Sequence, residues 1–240
     1  MVNSKLLNFF YYSRANWVDG TTYFINLIKK YCQPNFLILD LGCGTGVGKK
    51  DTYSLRKFVS TVIGIDIDKG INKNTLVDEK VIGDTFLLPF KNSTFDLIYS
   101  DYVLEHVNRP QSFVVEVRRV LKSSGYFIVR TPNKYHYVPL IGRIIPKSHK
   151  SFMANFSRNL NSDADTFDTY YKMNTVCELN KILLANGFSL EKIELIEKEP
   201  SYLTFNEILF LLGTMYEIIV NSIESLSSLR ANIIGVFRKL

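Results

Sequence analysis

Apolar positions along this 240-residue chain follow two alternating rhythms. Short unbroken apolar runs, each ended by an acid or a turn, occur at 36–39, 61–67, 81–82 and 95–98, and further strand-like runs at 126–130, 188–196 and 231–237. Runs of this length bounded by turn residues read as strands, and the first ones read as covered on both faces, as in the middle of a parallel sheet. Between them the spacing becomes helical. Tyr23, Phe24, Leu27, Ile28 and Tyr31 predict a helix that Asp19 could cap and that ends near Lys29 and Lys30. A helix is predicted from Lys49 to Phe58, and another from Gln111 to Leu121 with Phe113, Val114, Val117 and Val120 on one face. Asn174 to Asn186 reads as a helix stopped by Gly187, and Tyr202 to Ile223 as a strongly apolar helix. Seven strands alternating with helices predict an α/β fold built on a mostly parallel sheet.

Two stretches depart from that rhythm. Residues 134–171 mix Tyr135, Tyr137, Leu140, Ile144 and Ile145 with Arg143, Lys147, His149 and Lys150, and exceed an ordinary connection. Long insertions of this kind act as lids, binding loops or interfaces. Apolar and basic residues interleaved in this way also suit a helix lying in a membrane surface. The run 202–223 is broken by Asn206, Glu207 and Glu217, so it does not meet the requirement for a membrane span and is expected to pack on the domain, a partner or the bilayer surface. The expected organisation is one domain over 1–240, with an N-terminal helical arm at 1–31, a substrate-side insertion at 134–171 and an apolar helical insertion at 202–228.

Composition narrows the class. Hydrophobic residues make up 46% of the chain and charged residues 22%, a balance that excludes a disordered protein. The net charge of +6 suits an anionic membrane, an RNA or simple solubility. Cys32, Cys43 and Cys177 form no metal-spaced pair and no disulfide framework, which fits a reducing, cytoplasmic setting, with a peripheral position at the inner face of a membrane as an extension. The opening Met-Val-Asn-Ser-Lys is not followed by a signal-like apolar core, so no secretory signal is expected.

The chemistry gathers at ILDLGCGTG, residues 38–46. Gly42, Gly44 and Gly46 let the backbone turn sharply and approach a ligand. The Gly-x-Gly-x-Gly spacing lacks the dinucleotide fingerprint, although Gly48 keeps a loose version of it. A carboxylate at Asp40 would repel a pyrophosphate and attract an amine or a sulfonium. Asp66 lies about twenty residues past the turn, where an acid can accept from both hydroxyls of a ribose. Asp84 can accept an exocyclic amine, and the segment Phe95–Val107 brings a fourth strand end to the same crevice.

With these motifs (ILDLGCGTG, VIGIDID, GDTFLLPF, FDLIYSDYVLEHV and EVRRVLKSSGYFIVRTPN) the sequence resembles the class I S-adenosylmethionine-dependent methyltransferases. Within them it is similar to the branch that includes ubiquinone, menaquinone and sugar methyltransferases. The resemblance implies a Rossmann-like seven-stranded sheet of order 3-2-1-4-5-7-6 with helices on both faces, and S-adenosylmethionine as cofactor. It implies that Asp40, Gly42, Cys43, Gly44 and Gly46 surround the methionine part. Asp66 would hold the ribose, Ile67 would lie against adenine, Asp84 and Thr85 would meet the adenine edge, and Ser100 and Leu104 would flank the sulfonium. IIPKSHKSF resembles the Pro-Lys-Gly-Thr-His segment of the ubiquinone-pathway enzymes, with Ser148 alone between Lys147 and His149.

His106 and His149 are the candidate bases for removing a proton from the nucleophile. No cluster of His, Cys and carboxylates suggests a metal. The expected reaction is methylation of a small or lipid- or glycan-linked hydroxyl. The alternatives are an RNA-base methyltransferase and a non-catalytic partner protein of the same fold. Contact with a membrane surface, and a homo-oligomer formed through the apolar helix, are the expected associations.

Overall fold

The computed structural model describes residues 2–13, 17–144, 168–198 and 200–240. His149, the Lys147–Ser148–His149 motif and most of the second half of the 134–171 insertion lie outside the described residues. The strands are β1 Leu37–Leu41, β2 Thr61–Asp66, β3 Glu79–Ile82, β4 Phe95–Asp101, β5 Leu121–Pro132, β6 Phe188–Ile196 and β7 Asn232–Lys239. They form one sheet of order β3-β2-β1-β4-β5-β7-β6, the order that the resemblance implies. The pairs β1–β2, β1–β4, β2–β3 and β4–β5 are parallel. Ile38, Leu39 and Leu41 are fully buried in the middle of the sheet, each burial being worth about 1.5–3 kcal/mol. The runs at 36–39, 61–67 and 95–98 are therefore in central strands with both faces covered, whereas 81–82 lies in the edge strand β3, where Ile82 is exposed.

The helices are α1 Ser4–Leu7, α2 Gly20–Tyr31, α3 Pro110–Val120, α4 Tyr137–Ile144, α5 Val176–Ala185 and α6 Glu207–Ser222. Phe113, Val114, Val117 and Val120 form the buried face of α3, as their spacing predicts. Thr175 caps α5 by accepting from the Glu178 N–H, and Gly187, at φ +77°, follows its C-terminus in the left-handed conformation. The helix expected from Lys49 to Phe58 does not form. Beyond the glycine turn the chain makes only a short 3-10 turn, Asp51–Tyr53, flanked by extended Lys50 and Ser54. Gly46 and Gly48 leave the helical region at φ +66° and +76°, and Asp51, Thr52 and Ser54 are weak helix formers, so nothing local nucleates a helix there.

By compactness the chain divides into two units. One comprises 21–132, 169–194 and 233–240 and carries most of the sheet; the other comprises 1–20, 133–168 and 195–232. In the second unit Val2, Tyr11 and Phe210 form a core against which Leu6, Leu7, Phe10, Trp17 and Leu203 pack. Residues 202–223 do not make the single apolar helix on which a homo-oligomer and a membrane-surface contact were expected. Ser201–Leu203 is a 3-10 turn, and Asn206 interrupts the run because its side-chain oxygen accepts from the Ile208 and Leu209 N–H groups. That leaves α6 with 16 residues, whose face bearing Phe210, Gly213, Thr214, Glu217 and Val220 is buried. No helix among the described residues is long and apolar enough to cross a membrane. The partner expectation is corrected accordingly.

The same unit buries ionisable groups. The Tyr11 hydroxyl donates to Glu217 Oε2 at 2.5 Å and bonds Thr214 Oγ1 at 3.0 Å. Glu197 Oε2 accepts the Ala231 N–H at 2.7 Å and lies 3.5 Å from His136 Nε2. Burial pushes the Glu197 carboxyl up to about 8, with Glu217 adding to the rise, and pushes the His136 imidazole down to about 4. At neutral pH this is therefore a contact between a protonated acid and a neutral ring, rather than an ion pair.

The two groups act on stability in opposite directions. Glu197 holds its proton in the folded chain up to about 8 but ionises near 4.5 when unfolded, so its contribution is complete below pH 4.5 and is lost as pH rises to 8. His136 contributes fully above its unfolded value of 6.5 and loses that contribution as pH falls toward 4. Between pH 6.5 and 8 only the Glu197 effect operates. The melting temperature is expected to fall across that window, and Glu197→Gln, which keeps the acceptor for Ala231, to flatten the fall. Scanning fluorimetry at half-unit steps checks this; an equal slope in both proteins would refute it.

Candidate active site

The site begins where β1 and β2 end side by side. In their register Asp40 lies opposite Gly64 and Leu41 opposite Ile65. The Ile65 carbonyl accepts from the N–H groups of Gly42 at 2.8 Å and Cys43 at 3.2 Å, which folds the turn back over β2. Gly44 N–H then donates to Asp66 Oδ2 at 2.8 Å, while Asp68 N–H donates to the other oxygen at 2.9 Å. A carboxylate offers about four lone-pair sites, so each oxygen keeps acceptor capacity for a further donor.

Two glycines are required by space as well as by conformation. A Cβ on Gly42, at φ +77°, would lie 2.3 Å from Val103 Cγ2, and one on Gly46, at φ +66°, 2.5 Å from Asn74 Oδ1. Asn74 is the residue that sequence reading missed. It is 1% exposed, its amide donates to the carbonyls of Cys43 and Gly44 at 3.1 Å each, and its oxygen accepts the Leu76 N–H at 2.9 Å. It sits in the loop between β2 and β3, where no motif or spacing marks it; only the turn it supports reveals its use.

The other sequence-derived residues fall as follows. Asp40 is buried at the end of β1, and burial first of all pushes its carboxyl up to about 6, with Lys49 and a hydrogen bond from Tyr99 drawing it down. Cys43 is also buried, and burial, with Asp40 next, raises its thiol far above the ordinary range, so it is no nucleophile. Ile67 is 60% exposed just past β2. Asp84 follows β3, and the chain is held there by Gly83 N–H donating to the Asp66 carbonyl at 3.0 Å. Its carboxylate accepts the Phe86 N–H at 2.9 Å, with half-buried Thr85 between them. Ser100, opposite Leu41 in the β1–β4 register, is fully buried. Leu104 is fully buried in the 3-10 turn Leu104–His106.

His106 closes that turn, its Nε2 lying 4.0 Å from Glu105 Oε1. Buried Glu105 accepts from Thr131 Oγ1 at 3.1 Å, and Thr131 in turn accepts from the Asn174 amide at 2.6 Å, so the turn carrying His106 is anchored to β5 and to the residue before the α5 cap. Next to it, Arg130 makes a two-bond contact with Asp101 at 2.6 and 2.7 Å and lies between the rings of Phe24 and Tyr102. This pair, with Arg130 buried and Asp101 partly so, is a second feature that sequence reading missed, because Asp101 and Arg130 are 29 positions apart and meet only through the β4–β5 register.

These residues fit an adenosyl cofactor with a methionine tail. Among the described residues a Cβ on Gly44 would meet nothing within 4 Å, so there the turn borders open space. The Ser100 hydroxyl is buried without a hydrogen-bond partner among the described residues. Asp66 would hold the ribose hydroxyls, and exposed Ile67 would offer an apolar surface to a base. Among the described residues no group of His, Cys, Asp and Glu could hold a metal ion.

Residues 39–129 match the family described as methyltransferase domain. An uncharacterized protein of Methanocaldococcus jannaschii is 40% identical over 110 residues, covering 45% of this chain and 46% of that protein. The demethylmenaquinone methyltransferase of Corynebacterium glutamicum is 26% identical over 65% of this chain and 69% of its own length. Among solved structures, the [4+2]-cyclase SpnF superposes with a TM-score of 0.60 at 16% identity, covering 94% of this chain and 83% of that one, a likeness of fold alone. The chain spans about half the length of several of the curated relatives that it matches. Its sheet order, with the methyltransferase-domain match over residues 39–129 across the glycine turn, the acid-ended second strand and the β4–β5 segment, gives this chain the Rossmann-like fold of the class I S-adenosylmethionine-dependent methyltransferases.

Proposed function

We propose that this protein transfers a methyl group from S-adenosylmethionine to a hydroxyl of a small organic acceptor. The observation that carries the reading is the hydrogen bond from Gly44 N–H to Asp66, which joins the glycine turn to the acid of the next strand, with Asp40 buried beside it. The bound cofactor supplies an electrophilic methyl group for in-line displacement. The chain's own work is alignment and exclusion of water. Asp66 orients the ribose, the left-handed turn brings the backbone close to the methionine part, and Ser100 offers its hydroxyl at the end of β4. His106, on the anchored turn after β4, takes the proton of the nucleophile. The choice of a small acceptor over a nucleic acid is supported by the state of a basic side chain near these strand ends. Arg130, beside the end of β4, is committed to Asp101, so its guanidinium is not presented to a phosphate backbone.

Asp66→Ala should weaken S-adenosylmethionine binding about 100-fold or more, since it removes a charged acceptor of two ligand hydrogen bonds. Calorimetric titration measures this, and unchanged affinity would reject the ribose assignment. With cofactor carrying a labelled methyl group and a cell extract as acceptor source, the label should enter an extractable organic product; label confined to RNA would refute the acceptor class. His106→Gln should lower kcat on that product by about 100-fold while leaving cofactor affinity within about twofold, the pattern of a lost base.

A further inference from the structure

Asp40 has a partner that the cofactor reading does not use. In the β1–β4 register it lies directly opposite Tyr99, both residues are 7% exposed, and the Tyr99 hydroxyl beside the Asp40 carboxyl draws its pKa down. Across the other edge of β1 stands Gly64, whose missing side chain leaves the place to the Cys43 sulfur: a Cβ there would come within 2.6 Å of it. The acid is therefore enclosed by a phenol on one strand and a thiol from its own turn.

The charged and titratable groups around it are few. From β4 come Tyr99 and Asp101, from β2 Asp66, and from the glycine loop Cys43 and Lys49. Asp101 is committed to Arg130, and Asp66 to the N–H groups of Gly44 and Asp68. Lys49 is exposed and is the only one of these groups to bring a positive charge. A carboxylate taken out of water with so little compensation holds its proton more tightly than usual.

We propose that Tyr99 is a positioning residue of the cofactor site: its hydroxyl, donated to Asp40 across the β1–β4 pair, favours the ionised acid that a cationic ligand requires, so that cofactor binding releases one proton from Asp40 to solvent. The inference rests on the reading of this cleft as the S-adenosylmethionine site. That ligand carries a sulfonium and an ammonium, and either charge near Asp40 supplies the compensation that its buried surroundings lack. The Asp40 carboxyl, pushed up to about 6 by burial, is largely protonated at pH 5 and largely ionised at pH 7. Tyr99 stays a donor throughout, because burial and then Asp40 hold its hydroxyl well above the ordinary phenol range.

The test is titration calorimetry with S-adenosylmethionine from pH 5 to 8, in pairs of buffers that differ in ionisation enthalpy. Affinity is expected to fall about tenfold for each pH unit below about 6, and binding at pH 5.5 to release roughly three-quarters of a proton. Tyr99→Phe, which keeps the ring, should move the midpoint upward by about one pH unit through loss of the bond to the ionised acid. Asp40→Asn should remove the pH dependence. The wild-type proton count needs no variant and stands even if a substitution impairs folding. Binding without net proton release at pH 5.5, or an unmoved midpoint in Tyr99→Phe, would overturn the proposal and leave the cofactor reading intact. Absence of S-adenosylmethionine binding at every pH would overturn both.

Discussion

The structure depends most on the way one turn is held in a left-handed path. Gly42, Gly44 and Gly46 all have positive φ, and three separate groups keep them there: the Ile65 carbonyl, the Asp66 carboxylate and the Asn74 side chain. Each comes from β2 or the loop after it, so the turn is supported by the neighbouring strand rather than by a helix of its own. Buried backbone N–H and C=O groups must find partners, and this turn finds them in residues that also shape the ligand site. The same contacts explain why a side chain is not tolerated at Gly42 or Gly46: the space is already filled by Val103 and Asn74.

That arrangement changes the meaning of the missing helix after the turn. A helix starting at Lys49 would have offered its free N–H groups and its positive dipole end to whatever the turn holds. Here the chain leaves as extended backbone and a single 3-10 turn, so the favourable field for a ligand must come from side chains and from the N–H groups of the turn itself. An acid at Asp40 and another at Asp66 then make chemical sense, since the site is shaped for a ligand that carries positive charge rather than for a phosphate.

Burial also holds an acid neutral elsewhere. Glu197 retains its proton because it is taken out of water, and Glu217 accepts a hydrogen bond from Tyr11. Such groups are costly unless hydrogen bonded, and the Ala231 N–H and the Tyr11 hydroxyl provide those bonds. The Tyr11 hydroxyl meets Thr214 and Glu217 of α6, so a stretch so apolar in sequence turns one face inward to a polar partner. In the segment 202–223 the sequence marked Asn206 and Glu217 as breaks in the apolar run, while their roles as a helix cap and a buried acceptor came only from the structure.

What the sequence determined by itself was the local part. Unbroken apolar runs such as 36–39 and 95–98 are satisfied as strands covered on both faces, and the glycine spacing permits a sharp turn, so the strands and the position of the crevice were legible from the residues, while the order of the strands in the sheet came only from the family resemblance. The acids at the strand ends were legible too, because a carboxylate at the end of a buried strand needs a purpose. Tertiary structure alone decided which distant residues complete the site. Asn74 under the turn, Tyr99 opposite Asp40, and Arg130 against Asp101 each depend on strand register and loop path, and a one-residue shift in register would turn such a side chain to the other face. Pairings of that kind are set by the geometry of the whole sheet, which no single stretch of sequence contains.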